Sequence, residues 1–318
     1  MRVSAPDANA AINRRRSAAA AAVPLPLRRA TGAVPKSPVS APHLDSSRPA
    51  LCCFIATVPR SGSWLLAEAL YNAGVAGHPH EYFRPDFREV WSHEWHLSPR
   101  ASIDDYIAAA LSQTRTHNGV FSVKVHWYQL IWLFGAVEPG VPFTRARAAE
   151  LLEARFSPLR YVFLSRGDTA RQAISYYRAS RTQKWFATGT VADGFDPSSA
   201  DLQQIRWFED VVIEHRENWR RYFAASDIRP VEVQYESLAT SYEETVAKLL
   251  CELGIDSPGP LKLQAKRTLR RQADDRTDTI LDAYLRARDQ LVPRGPGVRW
   301  DVSTKRFATT TSVPGDGS

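Results

Sequence analysis

No stretch of this 318-residue chain approaches the roughly 18 to 20 consecutive apolar residues that a bilayer crossing needs. The longest candidate, YQLIWLFGAV, reads instead as a buried helix. Cysteine is scarce. Cys52 and Cys53 are adjacent inside an apolar run, Cys251 stands alone, and no CxxC spacing occurs. Such an odd, unspaced set builds neither a disulfide frame nor a zinc site, so the three read as core residues in a reducing compartment. The histidines of HPH at 78–80 and HEWH at 93–96 do not form HExxH, and no thiol or carboxylate set accompanies them at ligand spacing, so no metal is expected. Residues 1–30 lack a leucine-rich h-region followed by a cleavage site, so no secretory leader is expected. Without span or leader, the chain is expected in the cytoplasm.

Positive charge is also scarcer than the total suggests. The net charge is +7, but eight Arg or Lys against two Asp place +6 of it in residues 1–50, leaving +1 for the rest. A nearly neutral folded part argues against a nucleic-acid face, though not against a local cationic pocket. Residues 1–50 contain no aromatic residue, hold an AAAAA run and RRR at 14–16, and are rich in proline. That composition predicts a disordered basic extension. Being Arg-rich and acid-poor, it also has the make-up of an organellar transit peptide. Residues 51–305 are expected to form one domain, and residues 306–318, polar with Gly and Pro, a flexible tail.

Between these ends the pattern alternates strand and helix. LCCFIAT is a continuous apolar run, the mark of a strand covered on both faces. SWLLAEALYNAG follows as a helix stopped at Gly74. VFSVKVHW alternates, with Phe121, Val123 and Val125 on one face and Ser122, Lys124 and His126 on the other. LRYVFLS is a second buried-type strand, and Asp168 is placed to cap the helix TARQAISYYRAS. LQQIRWFEDVVIEHRENWRRYF is a long amphipathic helix with Ile205, Phe208, Val212 and Trp219 inward, and Trp207 is assigned to the core as well. PVEVQYESL reads as a strand. TSYEETVAKLLCELG reads as a helix opened by a capping box at Ser241 and Glu244 and ended at Gly254. This order implies an α/β fold, a mostly parallel central sheet with helices on both faces.

In such sheets ligands sit beyond the carboxyl ends of the strands. TVPRSGS at 57–63 occupies such an end, just before a helix. A tight loop and a helix start present free backbone N–H groups and the positive end of the helix dipole. Arg60 adds a planar cationic fork, Ser61 and Ser63 add hydroxyls, and Gly62 permits close backbone approach. GxxxxGK[ST] is absent, so this is not the ordinary triphosphate loop. No second acidic strand end offers to hold magnesium, so the anion here is one handled without a metal. The competing reading is a capped helix with Arg60 paired to a surface carboxylate. In SRGDTARQAISYYRAS, Arg166 stands at a second strand end and Ser175 on the following helix. Two anion grips at two strand ends suit a nucleoside 3′,5′-bisphosphate.

TVPRSGS with WLLAEAL, GVAGHPHEYF, VKVHW, SRGDTARQAISYYRASRTQKW and RRQADDRTD, in that order over about residues 52–290, resemble the trehalose 2-sulfotransferase family of bacterial sulfotransferases. The resemblance implies a sulfotransferase fold, a P-loop-type three-layer sandwich. It implies 3′-phosphoadenosine 5′-phosphosulfate (PAPS) as sulfuryl donor, no metal, and a homodimer. By resemblance Arg60, Ser61, Gly62 and Ser63 hold the 5′-phosphosulfate, Arg166 and Ser175 hold the 3′-phosphate, and Arg271 and Arg276 complete the nucleotide site. Glu81, in HEYF, falls at the proposed general base; its bland reading is a loop salt bridge. Lys124 either reaches the donor oxygens or is a solvated edge-strand lysine. Trp127 and Trp185 lie beside the motifs, as core residues or as stacking walls. Trp64 departs from the family's small hydroxyl residue and His78 from an acidic one, the first at the phosphosulfate pocket and the second where the acceptor is met. The expected reaction is sulfuryl transfer from PAPS to a hydroxyl of a carbohydrate or glycolipid. The rivals are a nucleotide-binding protein without transferase activity and a P-loop kinase.

Overall fold

The computed structural model describes residues 48–183, 185, 197–257, 259–263, 267–268, 275–295, 298–301 and 306–309. In chain order the elements are β1 (Leu51–Thr57), α1 (Ser63–Ala73), a 3₁₀ turn at Pro85–Phe87, α2 (Arg88–Glu94), α3 (Ile103–Thr114), β2 (Val120–His126), α4 (Trp127–Val137) and α5 (Arg145–Phe156). There follow β3 (Leu159–Ser165), α6 (Thr169–Thr182), α7 (Ser199–Ala225), β4 (Val231–Gln234), α8 (Tyr235–Thr240), α9 (Tyr242–Leu253), α10 (Asp275–Ala287), a 3₁₀ turn at Arg288–Gln290, β5 (Val298–Asp301) and β6 (Arg306–Thr309).

The first four strands form one parallel sheet in the order β2-β1-β3-β4. The unbroken apolar run of β1 is explained by its place inside this sheet. Cys52, Phe54 and Ala56 enter one core with residues of α2, α3, α5 and α7, whereas Cys53 and Ile55 enter another with α1 and α9. Side chains alternate across a strand, so a strand covered on both faces needs apolar residues at every position. A third cluster joins α6, α7 and α10. There Glu209, fully buried, accepts from Tyr284 Oη at 2.6 Å, Thr169 Oγ1 at 2.9 Å and Arg288 Nε at 2.9 Å. One carboxylate thus ties α10 to the start of α6. β5 and β6 make a separate antiparallel pair, so Arg306–Thr309, within the segment assigned to the tail, form a strand.

Several expectations change in detail. β2 is an edge strand, yet all seven of its residues are buried, not one face only. Residues 76–81 cover that edge. Lys124 N–H donates to the His80 carbonyl at 2.9 Å, and Ser122 Oγ to the Ala76 carbonyl at 2.6 Å. The cover comes so close that a side chain at Gly77 would meet Ser122 N at 2.5 Å, which is why this position is glycine. PVEVQYESL is strand only over Val231–Gln234 and continues as α8. Ser241 makes no side-chain cap, and its own N–H closes the end of α8 on the Ser237 carbonyl at 2.8 Å, which takes it from Glu244. Trp207 is half-buried, with its indole N–H on the Val292 carbonyl. Cys52 and Cys53 are core residues and Cys251 is exposed. The helix read as buried, α4, has Tyr128 and Ile131 exposed, at 37% and 42%. Among the described residues, no helix is long and apolar enough to cross a membrane.

Candidate active site

The carboxyl ends of β1, β2, β3 and β4 lie along one edge, with Thr57 beside His126 on one side and Leu164 on the other, and Ser165 beside Gln234. After Thr57 the chain turns sharply. Arg60 and Gly62 both take left-handed backbone, φ 69° and 87°. A Cβ at Gly62 would lie 2.4 Å from Tyr235 Cδ2, so glycine is required on two counts. α1 starts at Ser63 with no side-chain cap, leaving its first-turn N–H groups turned to the loop. Ser61 and Ser63 are buried, and the Ser61 hydroxyl pairs with Thr57 Oγ1.

The second grip is contiguous with the first. Asp168 caps α6 by accepting from Arg171 N at 2.8 Å, and the helix brings Ser175 back to the loop. Arg60 Nε donates to Ser175 Oγ at 2.9 Å, and Arg60 Nη1 donates to the Trp185 carbonyl. Gln172 Nε2 donates to the Pro59 carbonyl at 2.8 Å. Arg166 lies over the Tyr235 ring, 4.7 Å from its centroid, with Nη1 3.4 Å from the Arg60 carbonyl. Burial first and the Arg166 charge second pull the Arg60 guanidinium down to about 10. Two guanidiniums held this close at a helix start are arranged for an anion. Arg276 is exposed on α10, near the Thr277 hydroxyl that accepts from Arg178 of α6. Arg271 lies outside the described residues.

Glu81 and Lys124 meet across the covered edge of β2. Lys124 Nζ is 3.0 Å from Glu81 Oε1, and its side chain is fully buried, so it is not a solvated lysine. The same ammonium lies 3.3 Å from the centroid of the Trp64 ring, a cation–π contact stronger for being desolvated. Glu81 Oε2 accepts from Gln129 Nε2 at 2.9 Å and has Arg84 Nη1 at 3.7 Å, while His126 Nε2 stands 3.6 Å from Oε1. Burial alone would raise the Glu81 pKa, but Lys124 foremost, then His126 and Arg84, hold it well below the usual carboxylate range. Burial pulls Lys124 down to about 8, against the Glu81 carboxylate that favours its charge. His80, packed at 4.8–4.9 Å against Trp64 and Trp91, accepts the Glu81 N–H at Nδ1; burial and then Lys124 push it down to about 3. Neutral His80 therefore fixes the backbone of Glu81.

Trp127 belongs to the core, edge-on to Trp219, whose indole N–H holds the Thr57 carbonyl at 3.1 Å. Trp185 flanks the site, with its ring 6.1 Å from Tyr176. Sequence reasoning does not single out His126, Gln129, Arg84 or Tyr235 as site residues. The first three flank motifs that it does single out, and their only signal is position: VKVHW ends at the same sheet edge as TVPRSGS, and HEYF runs on into Arg84. Among the described residues, no group of three His, Cys, Asp or Glu side chains is placed to hold a metal ion.

A family model described as Stf0 sulphotransferase matches residues 52–287. The trehalose 2-sulfotransferase of Mycolicibacterium smegmatis is 28% identical over 264 residues, covering 71% of this chain and 91% of the relative. That of Mycobacterium tuberculosis is 28% identical over 270 residues, with the same coverage. Among solved structures, the sulfotransferase domain of the Synechococcus PCC 7002 olefin synthase aligns at a TM-score of 0.40 and 15% identity, over 82% of this chain and 95% of that one.

Proposed function

The chain belongs to the Stf0 sulphotransferase family and is a sulfotransferase, and from that premise we propose that it transfers the sulfuryl group of PAPS to a hydroxyl of a carbohydrate or glycolipid. The observation that carries the donor half is the direct link between the grips, Arg60 Nε to Ser175 Oγ at 2.9 Å, beside Arg166 and an uncapped helix start. This cluster fits a doubly anionic nucleotide. An anion between Arg60 and Arg166 opposes the burial and, after it, the Arg166 charge that lower the Arg60 pKa. In this reading Arg60, Ser61, Gly62 and Ser63 with the loop N–H groups hold the 5′-phosphosulfate, Arg166 and Ser175 hold the 3′-phosphate, and by the family likeness Arg276 and Arg271 complete the nucleotide site. Bound PAPS supplies the sulfuryl group and leaves as adenosine 3′,5′-bisphosphate.

Glu81 acts as general base toward the acceptor hydroxyl. Its ionised state at neutral pH, secured by Lys124 and Gln129, is the form the role requires. A carboxylate tied this tightly is a weak base, but proton transfer works in concert with Lys124. As Glu81 gains a proton, its hold on the lysine weakens. The ammonium is then available to charge growing on the donor's bridging oxygen, which Arg60 and the loop amides also face. Exposed Cys251 and the buried, unpaired Cys52 and Cys53 fit a reducing, cytoplasmic setting, and the likeness to the family favours a homodimer. Thermal shift tests the donor: adenosine 3′,5′-bisphosphate should stabilise the protein more than ATP with magnesium, and the reverse order would favour a kinase.

A further inference from the structure

We infer that Tyr128 recognises the acceptor by donating its phenolic proton to an oxygen vicinal to the reacting hydroxyl, so that the enzyme selects 1,2-diols over isolated alcohols. This deepens the proposed function and rests on it. Gln129 is fully buried and held at both ends of its amide. Its Oε1 accepts the His126 backbone N–H at 2.9 Å, which assigns the NH₂ to the opposite side. That NH₂ donates to Glu81 Oε2 at 2.9 Å and to Tyr128 Oη at 3.2 Å. An amide nitrogen carries two hydrogens in a planar fork, so the carboxylate oxygen and the phenol oxygen sit as neighbours on its two arms.

The two oxygens differ in what they still offer. The carboxylate can only accept. The phenol already accepts from Gln129, so its own O–H is free to donate, and among the described residues nothing receives that proton. Tyr128 is 37% exposed as a residue, its ring roughly parallel to that of His126, but its phenol is held inward by Gln129 beside Glu81, where burial raises its pKa well above the usual range and keeps it a donor. A ligand meeting this pair finds an acceptor for one O–H beside a donor to a second oxygen. Two oxygens on adjacent carbons, as throughout a sugar ring, match it. A lone alcohol satisfies Glu81 and leaves Tyr128 without its partner.

The test uses the full chain with ³⁵S-labelled PAPS and two acceptors, trans-1,2-cyclohexanediol and cyclohexanol. The wild type should prefer the diol by roughly tenfold in kcat/KM, the scale of one hydrogen bond left unmade in a partly buried site. In Tyr128→Phe, which keeps the ring and removes only the donor, the ratio should collapse toward one. A preference that survives Tyr128→Phe, or no preference in the wild type, overturns the inference, as does failure to sulfate either compound. Adenosine 3′,5′-bisphosphate thermal shift on the same samples separates the two levels. A shift with no diol preference sinks this inference alone, whereas no shift sinks the donor reading beneath it.

Discussion

Replacing Glu81 by Gln removes one charge from a pair whose other member has no water to retreat to. Lys124 Nζ is 3.0 Å from Glu81 Oε1, and its side chain has no exposed surface. Removing one partner of a buried pair costs about 3–5 kcal/mol, because the other charge is stranded. Here an escape exists. Lys124 is already pulled down to about 8, so without the carboxylate it loses its proton at neutral pH, which keeps the cost near the lower end, about 3 kcal/mol. For a domain of this size that is a fall in Tm of roughly 10 °C. Adding Lys124→Met to Glu81→Gln removes the stranded group and should restore most of the loss, since a buried pair replaced by apolar volume is often near neutral. Activity should not follow stability. Glu81→Gln and the double variant should both lose about 10²- to 10⁴-fold in turnover, the contribution of a positioned base, while adenosine 3′,5′-bisphosphate still raises Tm. Urea unfolding of the wild type, both single variants and the double gives the coupling energy, and sulfuryl transfer gives the rates. Near-normal turnover in Glu81→Gln would remove the carboxylate from the chemistry. A double variant whose losses simply add would show that the pair is not coupled.

Lys124 and Gly62 each carry an outcome that can be measured. Since burial sets Lys124 to about 8 from the usual 10.5, the unfolded chain binds the extra proton between those values. This group therefore adds stability as pH rises through that window. Turnover, which in the proposed reading needs the ammonium, should fall above about pH 8; a rate profile flat to about pH 10 would exclude that need. Gly62→Ala places a methyl 2.4 Å from Tyr235 Cδ2 at φ 87°, which should cost about 1–3 kcal/mol in stability and abolish the thermal shift with adenosine 3′,5′-bisphosphate; an unchanged shift would mean that the loop does not cradle the nucleotide.

The sheet was legible because local patterns carried it. β1 and β3 read as buried strands from continuous apolar runs, and Asp168 and Gly74 marked a helix start and stop where the structure has them. What escaped was non-local. Alternation in VFSVKVHW signals one wet face only if nothing covers the strand, and the cover is the segment ending at His80 and Glu81, far back in the chain, that also brings Glu81 to Lys124. Ser241 carries the right residues for a capping box, but the preceding helix claims its N–H first. Gln129 carried no signal beyond its position just after VKVHW. Its role is to point one amide at two oxygens, and a glutamine doing that looks in sequence like any other polar residue near a helix start.

The two departures from the family pattern gain meaning from where they land. Trp64 follows the loop directly, which predicts a reshaped phosphosulfate pocket. Its indole also faces Lys124 and His80, on the Glu81 side. His78, half-buried, packs 5.1 Å from Tyr71, and its carbonyl accepts from Tyr82. Trp64 thus lies beside the Lys124–Glu81 pair, whereas the contacts of His78 are to Tyr71 and Tyr82. A bulky ring over the ammonium supplies what a small hydroxyl cannot, a desolvated face that favours the lysine's charge while burial opposes it. In the proposed reading, with Glu81 as base, a bulky ring beside the Lys124–Glu81 pair changes which hydroxyl can approach, so the preferred acceptor is expected to differ from trehalose; sulfuryl transfer to trehalose and to a panel of other sugars checks this.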